Sequence, residues 1–402
     1  MSQTPERAWL TIVGIGEDGL SGLSDASREA LAQAELVTGP ARHLALVPDL
    51  RCERLTWPVP FTDGIAPLLA QRGRRVVLLA SGDPFWFGAG SVIARELEPW
   101  EWTACPAPST FGLAASRLGW PIEDTLCLGL HAAPLARLRP HLAPGRRALV
   151  LVRDGKAVGE LCRYLDERGF GASAVTVLEA LGGPRERVRE ATAATLAFDD
   201  IVHPVALGIV FAGDGVVLPA AAGRPDDWFE HDGQITKRPV RALTLSALAP
   251  RPGETLWDIG TGSGSIAIEW LLAHPTTQAI GFEANAERAA RARANAAALG
   301  VDRLRVIEGM APAVLADQPS PQAVFIGGGL SAELLQALAD RLAPGTRLVA
   351  NAVTLESETL LAQWHAERGG SLLRIDLAQA APLGSRRGWQ ASYPIVQWSV
   401  TL

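Results

Sequence analysis

Short apolar runs alternate with amphipathic stretches along all 402 residues, the rhythm of an α/β fold. In the first half, residues 9–16 (WLTIVGIG) read as a strand ending in a glycine loop, and Ser24 is placed to cap the helix that follows. Residues 75–81 form a buried strand running into GDPFWFG; 146–152, 174–182 and 204–211 are further strands. Residues 212–227 carry Gly, Pro and Ala without periodicity and read as a linker. The second half is more regular, with strands over 254–260, 278–284, 304–309, 323–328, 347–353, 372–377 and 394–400. Alanine-rich helices such as 287–299 separate the early ones, giving βα repeats and then two closing strands joined by a long connection. The expected domains are 1–213 and 228–402, with 214–227 between them.

Length agrees with two domains, since one usually takes about 100–200 residues. Hydrophobic residues make up 48% and charged residues 20%, which suits a globular core and argues against disorder. A net charge of −6 gives no general attraction to nucleic acid or an anionic membrane. Cys52, Cys105, Cys127 and Cys162 are far apart and form no CxxC, so neither structural metal nor a disulfide framework is expected. No signal peptide and no unbroken apolar stretch of about 18 residues appears, so the expected location is a reduced cytoplasm. Basic residues are almost all Arg; Lys occurs only at Lys156 and Lys237. A Lys that survives such a bias is a candidate for a task Arg cannot do, or stands there by chance.

Chemistry enters at DIGTGSG (258–264), between a strand and a helical pattern. Glycines there let the backbone turn tightly and approach a ligand. The next strand ends at Glu283, about twenty residues on, where an acid accepts bonds from ribose hydroxyls. The dinucleotide fingerprint GxGxxG fails at its third position, Ser265, and Asp258 precedes the loop. A pyrophosphate favours bare amides, whereas S-adenosylmethionine (AdoMet) brings an amino group and a sulfonium that suit a carboxylate. AdoMet is therefore the expected cofactor.

The run DIGTGSG, FEAN, EGMAP and VFIGGG resembles the seven-stranded, Rossmann-like class I methyltransferases. DDWFEHDGQITKRPVRALTLSAL (226–248) and NAVTLES (351–357) narrow the resemblance to decarboxylating precorrin methyltransferase domains, over roughly 228–402. The resemblance implies that Thr236, Gly260, Thr261, Gly262, Ser263, Gly264, Glu283 and Ala311 touch AdoMet, with Asp258 and Gly309 beside them. Met310 departs from the family, where Asp often follows the Gly, but a Met packs against an adenine ring.

In the first half, VGIGEDGLSGLS, ASGDPFWFG and PAPSTFGLAASRLGWP are weak signals singly, each readable as turn chemistry. Their order and spacing, with LGLH and EALGGPRERV, resemble the two-lobed tetrapyrrole (class III) methyltransferases over about 9–211. Gly14, Gly16, Ser81, Gly82, Asp83, Pro84, Ser109 and Thr110 map onto that family's cofactor-facing loops.

In this order the halves resemble the fused, decarboxylating methyltransferases of late precorrins in cobalamin biosynthesis. The resemblance implies two AdoMet per chain and an acidic tetrapyrrole substrate. It also implies methylation at carbon 5 by the N-terminal domain. The C-terminal domain would methylate carbon 15 and remove the ring C acetate carboxyl. Lys237, Arg238, Arg241, Arg386 and Arg387 are the candidate carboxylate clamps, with a solvated charged face as the alternative for the last two. His131 and His231 are candidate proton carriers, though a lone His is more often structural. No residue is assigned as catalytic acid or base. A homo-oligomer without nucleic-acid or membrane partners is expected. A methyltransferase pair acting on protein or RNA, and an AdoMet sensor, stay open as alternatives.

Overall fold

The computed structural model describes residues 8–48 and 50–402. The N-terminal residues on which the absence of a leader was judged lie outside them. The chain divides into two compact units: the described residues up to Ala133 with Leu142–Val216, and Pro134–His141 with Val217–Leu402.

The first unit holds two sheets. Strands β1 (Leu10–Ile15), β2 (Leu36–Gly39), β3 (Glu53–Thr56), β4 (Val76–Ser81) and β5 (Trp102–Cys105) make a wholly parallel sheet in the order β3-β2-β4-β1-β5. Apolar clusters around Leu10, Ile12 and Leu78 on one side and Val13, Val37 and Leu79 on the other bury it on both faces, which is why β1 and β4 read as continuous apolar runs. Strands β6 (Leu126–Gly129), β7 (Arg147–Leu151), β8 (Ala174–Glu179), β9 (Arg187–Thr192) and β10 (Val205–Val210) make the second sheet, ordered β6-β7-β10-β8-β9 and antiparallel except for β6 with β7. Ser24 caps the Asp25–Gln33 helix by accepting from the Ser27 N–H, as its position predicts. Ser109 does the same for Thr110–Leu118 through the Gly112 N–H, and Phe111 and Ala114 of that helix pack on Leu149, Leu178 and Ala206.

The second unit contains β11 (Thr255–Ile259), β12 (Gln278–Glu283), β13 (Arg305–Glu308), β14 (Ala323–Ile326), β15 (Arg347–Ala352), β16 (Ser371–Ile375), β17 (Ala378–Leu383), β18 (Arg386–Ala391) and β19 (Ile395–Thr401). Seven of them form one sheet, ordered β13-β12-β11-β14-β15-β19-β16. The first five are parallel, and β19 runs antiparallel between β15 and β16. Trp270, Leu271 and Leu248 cover one face; on the other, Trp257 of β11 and Trp398 of β19 pack with Leu334 and Leu361. The long connection before β19 is not plain loop: β17 and β18 pair as a separate hairpin. Its residues are nearly all exposed, so it has no alternation of apolar and polar positions to betray it.

Arg241, expected among the substrate clamps, is a core residue. Its side chain is 0% exposed. The guanidinium donates to Glu269 Oε1 at 2.6 Å, to Asp226 Oδ1 at 2.9 Å and to the carbonyl of Thr236, and it stacks over Phe229. Glu269 in turn accepts the N–H groups of Gly223 and Arg224 and pairs with the Arg224 guanidinium. Arg241 lies on the side of the Arg238–Leu248 helix that meets the Ser265–Ala273 helix, so its charge is spent inside the unit. Removing one partner of a buried ion group leaves uncompensated charge. Glu269→Ala is therefore expected to destabilise this unit by about 3–5 kcal/mol. Thermal unfolding of the full chain checks it, and an unchanged transition would refute the assigned role.

Candidate active sites

In the second unit β11 lies between β12 and β14, so the chain's direction across the sheet reverses there. Ligands of open α/β sheets bind beyond the carboxyl ends of strands at such a point. A cavity of about 1390 Å³ opens at that place. Its shape depends on Gly260, which follows β11 with φ +72°. A Cβ there would fall 2.6–2.9 Å from the backbone of Gly328, in the turn after β14.

Around this turn the sequence-named residues converge. Glu283 ends β12; its Oε2 accepts the Gly262 N–H at 2.9 Å and its Oε1 the Asn285 N–H at 3.0 Å. Both oxygens keep lone pairs, so the carboxylate is oriented yet able to accept ribose hydroxyls. Asp258 Oδ2 accepts from the Thr261 hydroxyl at 2.7 Å and the Ala267 N–H at 3.1 Å. Its Oδ1 is buried without a partner, and burial pushes its pKa up to about 6. An orphaned carboxylate oxygen in a cavity wall suits a cationic ligand group, so the residues present fit AdoMet. Thr236, Lys237, Gly262, Ser263, Gly309, Met310 and Ala311 line the same cavity, and Met310 is 73% exposed, free to cover a flat ring. Gly264 stands behind the lining as the residue that opens the Ser265–Ala273 helix.

Other expected residues are not brought in. Arg238 is exposed outside the lining. Arg386 and Arg387 sit beside the Gly384 turn at the tip of the β17–β18 hairpin, while the opposite end, with Gln379, Gln390 and Ala391, forms cavity wall. The Nδ1 of His231 accepts the Gly233 N–H, a turn-forming contact, and His131 is exposed in the turn after β6. Of the proposed clamps Lys237 alone lines the cavity. Sequence reasoning missed Arg288, tied to Asp232 at 2.7 Å, and Asn351, although NAVTLES had been singled out and starts near the carboxyl end of a parallel strand.

In the first unit the loops after β1, β4 and β5 lock together. The Gly82 N–H donates to the Ile15 carbonyl, and Gly82 accepts from the Ala107 N–H. A Cβ on Gly14 would fall 1.9 Å from the Gly82 oxygen, and one on Gly82 would fall 3.2 Å from the Ser109 Cα. Gly14, Gly16, Ser81, Gly82, Asp83, Pro84, Ser109 and Thr110 thus gather at the carboxyl edge of the parallel sheet. Asp83 Oδ1 accepts the Phe85 N–H at 2.8 Å. The Ser81 hydroxyl meets Arg42 Nη2 at 3.0 Å and His43 Nε2 at 2.9 Å. Arg42 also bonds the buried Glu17 carboxylate, which Arg185 holds at 2.8 Å. Burial drives His43 down to about pKa 4, so this imidazole is neutral. Glu17 and Arg185 lie in the quoted VGIGEDGLSGLS and EALGGPRERV stretches and Ser81 was named, but Arg42 and His43, which join them, belong to no motif.

Two unlike α/β architectures, each with glycines at the carboxyl edge of its parallel strands, match two methyltransferase families. Residues 9–197 match the tetrapyrrole (corrin/porphyrin) methylases, and residues 227–402 match the precorrin methyltransferase domain. The chain is 52% identical over 398 residues to the precorrin-6Y C(5,15)-methyltransferase [decarboxylating] of Sinorhizobium sp, covering 98% of this chain and 96% of that one. It is 41% identical over 396 residues to the protein of that name from Mycobacterium tuberculosis H37Rv, covering 98% and 99%. The crystal structure of the C-terminal domain of precorrin-6Y C5,15-methyltransferase from Rhodobacter capsulatus is 59% identical over 46% of this chain and 100% of its own, with a TM-score of 0.45. The chain belongs to the decarboxylating precorrin-6Y C(5,15)-methyltransferase family. Members are AdoMet-using C-methyltransferases.

Ionised Asp258 favours a cationic ligand, and a proton competes with it once pH falls below the carboxyl's pKa of about 6. AdoMet affinity at this site is therefore expected to weaken as pH drops through about 6, and in Asp258→Asn to be weaker and independent of pH. Calorimetry at several pH values measures both; a parent affinity constant across that range would remove Asp258 from the site.

Proposed function

We propose that the chain methylates precorrin-6Y at two meso carbons and removes the ring C acetate carboxyl as carbon dioxide, giving precorrin-8 in cobalamin biosynthesis. The observation that carries this reading is the second unit's cavity. At about 1390 Å³ it exceeds the usual ligand pocket of about 300–1,000 Å³. Glu283 and Asp258 occupy only one end, leaving room for a macrocycle over β14, β15 and β19.

We assign methylation at carbon 5 to domain 1–213, and methylation at carbon 15 with decarboxylation to domain 228–402; of the expected linker 214–227, residues 217–227 pack with the second unit. Each domain holds one AdoMet, two per chain. Bound AdoMet supplies the electrophilic methyl group. Glu283 orients the ribose hydroxyls, Asp258 faces the positive end, and the glycine turns let the backbone close on the ligand. Lys237 pairs with a substrate carboxylate as a point charge. The cavity walls place the reactants and exclude water, and the substrate's own conjugation supplies the nucleophilic carbon. The enzyme is read as a cytoplasmic homo-oligomer meeting neither nucleic acid nor membrane, in keeping with the charge of −6 and with the absence, among the described residues, of a helix long and apolar enough to cross a bilayer.

Calorimetry on the full chain is expected to count two AdoMet; a clean value of one would sink the two-site reading. Losing a hydrogen bond to a charged acceptor costs about 1.5–3 kcal/mol, so Glu283→Ala should lose roughly ten- to hundredfold in AdoMet affinity at the C-terminal site. Its product should carry one new methyl and keep the ring C acetate. Asp83→Ala should impair the other methylation while decarboxylation persists. Mass spectrometry of both products separates the cases, and the reverse pattern would exchange the activities between the halves.

A further inference from the structure

The end of the cavity away from Glu283 and Asp258 has an unusual wall. The charged side chains lining the cavity are Lys237, Asp258, Glu283 and Arg288. The acids flank the glycine turn, Arg288 is paired with Asp232, and Lys237 precedes the Arg238–Leu248 helix. Where β15 and β19 end, the polar lining is neutral, and within it Asn351 alone sits on a strand of the large sheet.

Asn351 is held by two buried polar residues. Its Nδ2 donates to Thr244 Oγ1 at 2.9 Å. Its Oδ1 accepts from Gln397 Nε2 at 2.9 Å, and the same Nε2 donates to Thr244 Oγ1 at 3.0 Å. Gln397 is its cross-strand partner on β19, and Thr244 and Gln397 are both buried. The three contacts form a triangle that fixes the amide. As placed, three N–H hydrogens serve three contacts. With both amides turned over, the single Thr244 hydroxyl hydrogen would have to serve two of them, and one contact would be lost. Three polar side chains in an apolar core are costly unless mutually satisfied, and a satisfied network is rigid. The half-buried Asn351 keeps one N–H and one lone pair beyond the triangle.

We propose that Asn351 is the neutral donor that holds the departing acetate carboxylate of the substrate, with Thr244 and Gln397 as the positioning residues that fix its amide. This rests on the functional reading above, because it needs a decarboxylating C-terminal domain. In the reaction the C–C bond to the carboxylate breaks and its electron pair enters a neighbouring ring imine. Carbon dioxide leaves; the pair then returns from the imine nitrogen to the methylene carbon, which takes a proton from water to become the methyl group, leaving hydroxide. Negative charge moves off the carboxylate along this path. A cation there would bind the ground state more strongly than the transition state and raise the barrier. A neutral amide on a rigid strand end orients the group and holds it less tightly, which is what a leaving carboxylate needs.

The test uses the full chain, AdoMet and precorrin-6Y, with products weighed by mass spectrometry and AdoMet binding followed by calorimetry. Asn351→Ala should decarboxylate about ten- to hundredfold more slowly, the loss of one hydrogen bond to a charged group, with AdoMet affinity and N-terminal methylation unchanged. Asn351→Asp keeps the shape and the Gln397 contact but sets an anion against the substrate's. Its decarboxylation should be lost at neutral pH and return as pH falls and the new carboxyl protonates, an acid-side limb that a merely structural role would not create. Thr244→Val should lower kcat more than it raises KM, and Thr244→Ser should restore it. Should Asn351→Ala fail to fold, the Asp variant decides. A parent chain that binds AdoMet yet leaves the acetate intact overturns the functional reading and this inference with it. A parent that decarboxylates, beside an Asn351→Asp chain that does so equally at every pH, overturns the Asn351 assignment alone.

Discussion

The second unit is organised by one contact, the meeting of the turns after β11 and β14 at Gly260 and Gly328. Any side chain on Gly260 would overlap the Gly328 backbone, and its φ of +72° disfavours other residues as well. Because the turns touch, the Gly262 N–H reaches the Glu283 carboxylate and the Thr261 hydroxyl reaches Asp258. The acids are thus set by backbone geometry before any ligand arrives. Such preorganisation places charge without a reorganisation cost on binding.

Charge elsewhere in this unit is handled by the same economy of burial. A buried guanidinium must be paired, and Arg241 is saturated by Glu269, Asp226 and carbonyl oxygens. That pairing ties the 219–226 segment to the Ser265–Ala273 helix through Glu269 and Arg224, so it specifies how the chain enters the unit. Lys237, four residues before Arg241 and at the head of the same helix, stays exposed at the cavity. Neighbouring basic residues therefore have opposite uses, decided by position along the chain: Lys237 is the extended N-cap before the first turn, whereas Arg241 lies within the helix and faces Glu269.

Burial on both faces makes longer strands legible, although the fully buried four-residue β2 held too short an apolar run to be read. The parallel strands β1, β4, β11, β12 and β14 are buried on both faces and read as apolar runs, and the serine caps follow from their spacing. Strand β3 and the β17–β18 hairpin are largely exposed and β9 is half-buried with no core residue, so none of them carries an apolar run. The glycine turns beside the candidate sites were legible because close backbone approach restricts residue type to glycine. Arg241 was misread because a one-dimensional cluster of basic residues does not show which member faces a buried glutamate 28 residues further on in another helix. Asn351 was quoted within a motif, but its role depends on Thr244 and Gln397, which lie 107 and 46 residues away and meet it only in the fold.

The two units reach one kind of site by different routes, and the difference lies in what their polar side chains are left free to do. In each, backbone at the carboxyl ends of two adjacent parallel strands meets at a glycine: Gly14, near the end of β1, against Gly82 just after β4, and Gly260 against Gly328 in the turns after β11 and β14. In the second unit the acids nearby keep unused acceptor capacity facing the cavity. In the first, Asp83 closes its own turn through the Phe85 N–H, and the Ser81 hydroxyl is engaged by Arg42 and His43, themselves anchored on or beside Glu17. Those side chains shape the loop rather than stand open to a ligand. On the proposed function, recognition there would fall chiefly to main-chain N–H and C=O groups, which carry no residue signature. That is why the first site was readable only from the order and spacing of its loops, whereas the second announced itself by two carboxylates at a fixed distance.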